Sequence, residues 1–234
     1  MLLILGGTSA THKFLESVAQ DNFIITVATD YGESEFSNKY QGKLLKIRFT
    51  EKSLIDFIKE KGVTKIIDTT HPYAKEITAN AKNAAEICGI QYVDKVRSKD
   101  KFSLSSLTHV VSNYEEAVDF LKKMEFKNIF FTTGGNNIHL FSDFSDRSWV
   151  RVLPYEKSIQ KCVEAGFERS KIIAMQGPFS ANLNIAICRE IGADCVVSKN
   201  GGEGSGFKEK VDACLQLGIN LLVIEPPEEP ANHL

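Results

Sequence analysis

M-L-L-I-L-G-G-T, residues 1–8, sets an unbroken aliphatic run directly against a pair of glycines. A strand with one wet face alternates apolar and polar residues. A continuous run too short for a helix marks a strand covered on both sides, the situation of a parallel sheet. The chain repeats this: F-I-I-T-V-A-T (23–29) ends at D-Y-G, K-L-L-K-I-R-F (43–49) alternates, and T-K-I-I-D (64–68) and I-Q-Y-V (90–93) follow. Between them lie helical stretches at about 11–20, at 51–62 with Gly62 as the stop, and at 73–89, an Ala-rich segment with Pro72 suited to its start. Strands alternating with helices predict a parallel sheet with helices on both faces.

After a Lys- and Ser-rich connection near 95–107 the alternation begins again. H-V-V leads to a helix near 113–124, N-I-F-F-T-T (128–133) to G-G-N-N, and W-V-R-V-L-P (149–154) to a helix near 155–165. K-I-I-A-M-Q (171–176) leads to G-P-F-S and a helix, D-C-V-V-S-K (194–199) to G-G-E-G-S-G and a helix from 207, and N-L-L-V-I-E (220–225) ends the pattern before a Pro/Glu-rich tail expected to fray. The expected architecture is α/β, with two doubly wound parallel-sheet domains, 1–97 and 98–234, and an active-site cleft between them. No fixed-period repeat is present, so a solenoid is excluded.

A hydrophobic fraction of 43% with 25% charged residues is that of a water-soluble globular chain. The formal net charge of −2 argues against nucleic acid as the partner. The five cysteines, Cys88, Cys162, Cys188, Cys195 and Cys214, include no C-x-x-C pair and are read as reduced thiols, mostly core. No membrane-length apolar run and no signal-peptide pattern occurs, which points to the cytoplasm.

Open parallel sheets bind ligands beyond the carboxyl ends of their strands. This chain's glycines, acids and hydroxyls gather there: Gly6-Gly7-Thr8, Thr29 to Gly32, Asp68 to Tyr73, Thr132 to Asn136, Arg151 to Pro154, Gln176 to Ser180, and Ser198 to Phe207. Each has two readings. Gly6-Gly7-Thr8 is half of a dinucleotide fingerprint or a plain strand–helix turn. Asp30 either holds an adenosine ribose or fixes a turn. The loop 198–210 has four glycines within 201–206, flanked by Lys199 and Lys210, which suits an anion cradle or a surface hairpin. Ser180 is an N-cap at minimum. In D-T-T-H-P-Y-A (68–74), Thr70 or His71 either caps the helix or does chemistry, and His71 is the histidine placed to move a proton. His12 and His139 are expected on the solvent side. H-E-x-x-H, Cys/His metal spacing and G-x-S-x-G are missing.

Taken together, I-L-G-G-T (4–8), T-D-Y-G (29–32), D-T-T-H-P-Y-A (68–74), T-T-G (132–134), R-V-L-P (151–154), M-Q-G-P-F-S (175–180) and S-K-x-G-G…G-F-x-E-K (198–210) resemble the precorrin-6A reductases of corrin biosynthesis, over essentially the whole chain. The family's first turn usually continues with an acid, a small residue and Arg, where this chain has Ala10, Thr11 and His12. A Pro usual after the arginine near Arg97 is Ser98 here.

The resemblance implies a two-module Rossmann-like enzyme that uses NADPH or NADH to reduce one double bond of precorrin-6A, metal-free or cobalt-bearing, to precorrin-6B. The expected roles are proton donation for His71 or Tyr73 and cofactor binding for Gly6, Gly7, Thr8, Thr29, Asp30, Tyr31, Gly177, Pro178 and Ser180. Substrate binding is expected of Asp68, Thr70, Thr133, Gly134, Arg151, Lys199, Gly201, Gly202, Glu209 and Lys210. No metal site is expected. One rival is a short-chain or nucleotide-sugar oxidoreductase, which generally needs a Tyr-x-x-x-Lys pair: here Tyr40 meets Leu44, Tyr73 meets Ile77 and Tyr114 meets Val118. The other is a non-enzymatic two-lobed binding protein.

Overall fold

The structure is a computed structural model; it describes residues 1–18, 22–71, 73–95, 105–202 and 204–225. The chain divides into two compact units, Met1–Ser98 and Lys99–Leu234. The expected 97/98 boundary, the Arg97–Ser98 departure, the role of Pro72 and the terminal tail all lie outside the described residues.

In the first unit the elements are β1 (Leu2–Leu5), α1 (Ser9–Ser17), β2 (Phe23–Val27), α2 (Asp30–Ser37), β3 (Leu44–Lys46), α3 (Glu51–Lys61), β4 (Lys65–Asp68), α4 (Lys75–Cys88) and β5 (Gln91–Asp94). The strands form one parallel sheet ordered β3-β2-β1-β4-β5. Alternation along β1 explains its wholly apolar sequence. Leu3 and Leu5 pack with Leu54, Phe57, Ile66 and Ala81, Ala84 and Ala85 on one face. Ile4 faces Leu15, Ile25, Phe36 and Ile67 on the other. Each such fully buried side chain contributes about 1.5–3 kcal/mol, and the alanines let α4 lie close to α3 and the sheet.

The second unit contains β6 (Thr108–Val111), α5 (Tyr114–Lys123), β7 (Ile129–Phe131), β8 (Ser148–Val152), α6 (Glu156–Glu164), β9 (Ile172–Ala174), α7 (Ala181–Glu190), β10 (Cys195–Lys199), α8 (Phe207–Leu217) and β11 (Asn220–Ile224). Its parallel sheet is ordered β6-β11-β10-β7-β8-β9. Within it, β9-β8-β7-β10-β11 repeats the first unit's strand order without any sequence repeat, and β6 is added beyond β11. In both sheets, neighbouring strands send their connections to opposite sides at one point: β1/β4 in the first unit, β7/β10 in the second. That switch point is where a doubly wound sheet opens a crevice for a ligand.

Three expectations change. The alternating stretch 43–49 forms a strand only over Leu44–Lys46, because its partner β2 leaves the sheet after Val27. A helix unmarked by periodicity, α2, is held by Thr29, whose hydroxyl accepts from Gly32 N at 3.0 Å, and by buried Phe36. The segment Ile138–Arg147 is a kinked 3₁₀ helix, and its buried Ile138, Phe141 and Phe144 recur every third residue, as that helix requires. All five cysteines are free, four of them buried.

Candidate functional site

The first unit's switch point is a hydroxyl network. Thr8 Oγ1 donates to Thr69 O at 2.7 Å, and Thr69 Oγ1 donates to Leu5 O at 2.7 Å. With that proton committed, Thr11 Oγ1 donates to Thr69 Oγ1 at 2.9 Å and accepts from Gly7 N and Thr8 N, both at 3.2 Å. The β1 and β4 tips are therefore tied together by residues buried at 0% exposure, Thr11 and Thr69. A side chain on Gly6 would stand 3.0 Å from Thr11 Cγ2, whereas one on Gly7, at φ +115°, would meet nothing within 4 Å. The turn is thus open over Gly7, and the Gly7 and Thr8 amides are held by Thr11 Oγ1.

At the β2 tip, Asp30 begins α2. Lys46, the last residue of β3, reaches Asp30 Oδ1 at 2.8 Å and Glu33 Oε2 at 2.7 Å. The Asp30 hydrogen bond, then that of Glu33, raise its ammonium above the ordinary lysine pKa. Tyr31 is half-buried on the same helix.

At the β4 tip Asp68 is fully buried. Its Oδ1 accepts from Thr70 N at 2.9 Å and Thr70 Oγ1 at 2.6 Å; its Oδ2 accepts from Thr78 Oγ1 at 2.8 Å and Tyr92 Oη at 2.9 Å. Four donors fill the lone pairs of this carboxylate, so it fixes the loop that follows. Neither Thr70 nor His71 caps α4: the helix starts at Lys75, its N-cap is Ala74, and no side chain caps it. His71 Nδ1 instead accepts from Tyr73 N at 3.3 Å, which leaves the proton of a neutral ring on Nε2. The Tyr73 ring lies 5.4 Å from the imidazole. His12, half-exposed, stacks on Phe36 at 4.3 Å, and His139 is exposed.

In the second unit, Arg151 on β8 is 7% exposed. Its Nη1 donates to Asn184 Oδ1 at 3.0 Å, and its guanidinium lies 4.3 Å from the Phe179 ring and 5.3 Å from that of Phe130. Asn184 in turn donates to Ser180 O at 2.9 Å. The Phe179 ring folds over Gly177, where a Cβ would stand 2.9 Å from the ring, so a side chain there would displace the ring. Ser180 caps α7, accepting from Leu183 N at 3.3 Å. Pro178 borders Gly206, whose added Cβ would come 3.3 Å from Pro178 Cβ.

Lys199 ends β10 and Lys210 lies on the first turns of α8. Burial lowers the Lys199 pKa to about 8. Burial first, then Arg151 and Lys199, lower that of Lys210 to about 7, against a raising influence from Glu209. Burial likewise lowers Arg151 to about 10. Three cations thus share one locality with one acid. The glycine loop between them contains Gly202, Gly204 and Gly206, all near φ +73°. Asn200 Oδ1 accepts from Gly202 N, and Gly201 and Gly202 are buried. Glu203 lies outside the described residues. At the β7 tip, Thr132 is tied to Val197 O, while Thr133 Oγ1 is buried without a partner, beside Gly134 at φ +79°.

Within each unit, then, the expected residues stand at one sheet edge. Gly6, Gly7, Thr8, Asp68, Thr70, His71 and Tyr73 gather at the β1/β4 switch, with Thr29, Asp30 and Tyr31 at the neighbouring β2 tip. Thr133, Gly134, Lys199, Gly201 and Gly202 stand at the β7/β10 switch, and Arg151, Glu209 and Lys210 adjoin it electrostatically. Sequence reading passes over Thr11, Thr69, Thr78, Tyr92, Lys46, Phe179 and Asn184. Asn184 carries a signal, an amide inside the apolar run L-N-I-A-I-C; Lys46 and Tyr92 carry none, because strand pairing brings them in.

Two open parallel sheets with the same doubly wound core order, each loaded with polar groups at its switch point, define a Rossmann-type α/β protein. The model of the family described as Precorrin-6x reductase CbiJ/CobK matches residues 1–234, and the chain belongs to this family of corrin-forming oxidoreductases. It is 32% identical over 235 residues to the cobalt-precorrin-6A reductase of Priestia megaterium, covering 97% of this chain and 91% of that protein. It is 31% identical to the cobalt-precorrin-6A reductase of Methanocaldococcus jannaschii, covering 97% of this chain and 90% of that protein. The solved structure of CobK precorrin-6A reductase shares the fold at a TM-score of 0.79, with 22% identity over 98% of this chain and 89% of that one. Among the described residues, no helix is long and apolar enough to cross a membrane.

Proposed function

We propose that this chain reduces precorrin-6A, in its metal-free or cobalt-bearing form, with a reduced nicotinamide dinucleotide as donor, and that it works in the cytoplasm. The reading rests on the match of residues 1–234 to the reductase family, supported by two switch points furnished with different chemistry. When bound, the nicotinamide supplies a hydride; a proton completes addition across the double bond.

The first unit takes the dinucleotide. Gly6, Gly7 and Thr8 approach its phosphates, Thr29 and Tyr31 border it, and Asp30 receives the adenosine ribose. Asp30 and Glu33 outnumber Lys46 at that tip, so a 2′-phosphate meets net negative charge and NADH is favoured over NADPH. The expected cofactor role of Gly177, Pro178 and Ser180, which belong to the second unit, is kept as part of this proposal. Asp68 and Thr70, interlocked and buried, serve the substrate by positioning His71, whose Nε2–H donates a proton or hydrogen bond to a ring nitrogen, with Tyr73 beside it.

The second unit takes the carboxylates of the macrocycle. Arg151, Lys199 and Lys210 supply the charge, Glu209 balances it, and the Gly201–Gly202 backbone and the unpartnered Thr133 hydroxyl beside Gly134 complete the donors. Anaerobic mixing with each dinucleotide and each substrate form tests this: reduced nicotinamide and macrocycle should lose their absorbance one for one. A chain that consumes no nicotinamide with either form is not this enzyme. With His71→Ala, turnover at saturating substrate should fall about 10²–10⁴-fold, the range of a lost general acid; full turnover between pH 6 and 8 would remove His71 from the role.

A further inference from the structure

Six large apolar side chains are conspicuously exposed among the described residues, and four of them, Leu45, Ile87, Val110 and Leu215, lie on four separate elements. The other two adjoin. Leu153 is 38% and Met175 40% exposed, and they leave the sheet side by side, since Met175 N donates to Val152 O at 3.0 Å. In the ladder Arg151 stands opposite Ile173. Two residues further along each strand, alternation puts Leu153 and Met175 on the face that carries Arg151, Trp149 and Phe130.

The two segments that carry Leu153 and Met175 are uncharged. Residues 152–155 read V-L-P-Y, and no charged residue occurs from 172 through 188. Behind this exposed pair is Arg151, with no acidic partner among the described residues and with the Phe179 ring 4.3 Å from its guanidinium. A surface of this kind, an apolar shelf ending at a buried cation, complements a flat hydrophobic ring that carries carboxylates at its rim. A second protein would leave Arg151 without an anion, and a dinucleotide phosphate would leave the shelf uncovered.

We propose that Leu153 and Met175 are the shelf on which one face of the carboxylated tetrapyrrole rests while Arg151 takes a rim carboxylate. This rests on the reading above and adds residues that bind through ring area, which determine that a macrocycle is accepted where a small carboxylate is not.

The experiment uses the full chain with Leu153→Asn and Met175→Gln combined; both side chains are more than a third exposed, and urea unfolding checks that the variant is as stable as wild type. Trp149, the single tryptophan, lies on the same face and reports bound tetrapyrrole by quenching. Precorrin-6A and its cobalt form are titrated into wild type and variant, and Michaelis constants are measured for both reactants. The shelf predicts that tetrapyrrole dissociation and Michaelis constants rise about tenfold, from lost apolar contact, with those of the nicotinamide cofactor and the turnover number unchanged. Unchanged tetrapyrrole affinity overturns the proposal. A rise confined to the cofactor overturns it too and assigns the shelf to nicotinamide. A wild-type dimer that the variant makes monomeric, with binding intact, overturns it in favour of self-association. If wild type neither binds nor reduces tetrapyrrole, the parent reading fails and the shelf with it.

Discussion

The phenol of Tyr92 donates to Oδ2 of Asp68 at 2.9 Å, joining two neighbouring strands at the point where the chain turns off toward His71. This bond and the three from Thr70 and Thr78 anchor the loop. Asp68→Asn replaces two acceptor sites with an amide that faces hydroxyl donors. It should cost about 1–3 kcal/mol in urea unfolding and lower turnover by displacing His71. Tyr92→Phe should cost less, about 1 kcal/mol. An Asp68→Asn protein of unchanged stability and turnover would show that the carboxylate anchors nothing.

Arg151 is a buried cation whose partners are an amide and two aromatic rings. Removing an unpaired buried charge in favour of an apolar chain of similar length is often neutral or stabilising. Arg151→Met should therefore unfold no earlier than wild type, while the tetrapyrrole Michaelis constant rises at least about tenfold. Loss of stability without loss of substrate affinity would make Arg151 a packing residue.

Lys210 gives the pH dependence. Its folded-state pKa, about 7, lies below the ordinary 10.5 because of burial, Arg151 and Lys199. Between these values the unfolded chain holds more protons than the folded one, so this group makes stability rise with pH through the window. Binding of a polycarboxylate needs the charged form and should weaken over the same rise, with Lys199, at about 8, adding to the upper part. Lys210→Met should flatten both slopes. Equal slopes in wild type and variant would show that Lys210 does not titrate there.

The proposed function makes Asp30 and Lys46 the determinants of cofactor choice. Wild type should have a higher kcat/KM with NADH than with NADPH, and Asp30→Ser should move the ratio toward NADPH, by about tenfold for a removed repulsive charge. A wild type that prefers NADPH contradicts the assignment of the β2 tip.

The fold was legible because the strands announce themselves. L-L-I-L before Gly6-Gly7 is apolar on both faces, as are the central I-I of 64–68 and C-V-V of 194–199, and a covered parallel sheet makes use of that. Helix α2 was not legible, since D-Y-G-E-S-E-F-S has weak helix formers and depends on the Thr29 cap and the burial of Phe36. The placement of the proposed site residues at strand ends could be read because position along a parallel strand is also position toward the crevice. The partners that fix them could not. Thr11 braces Gly7 and Thr8 from within a helix, Tyr92 reaches Asp68 from the next strand, and Lys46 reaches Asp30 through the β2–β3 pairing. Those contacts exist only after strand order and register are set.

The central claim is hydride delivery from a nicotinamide to a corrin precursor, and isotopic transfer tests it most directly. NADH carrying deuterium at the transferable position is mixed with cobalt-bearing and metal-free precorrin-6A under anaerobic conditions, and the product mass is read. The account predicts one deuterium in each reduced macrocycle, matched by one oxidised nicotinamide. A reduced macrocycle without deuterium, or no reduction with either substrate form, would contradict it.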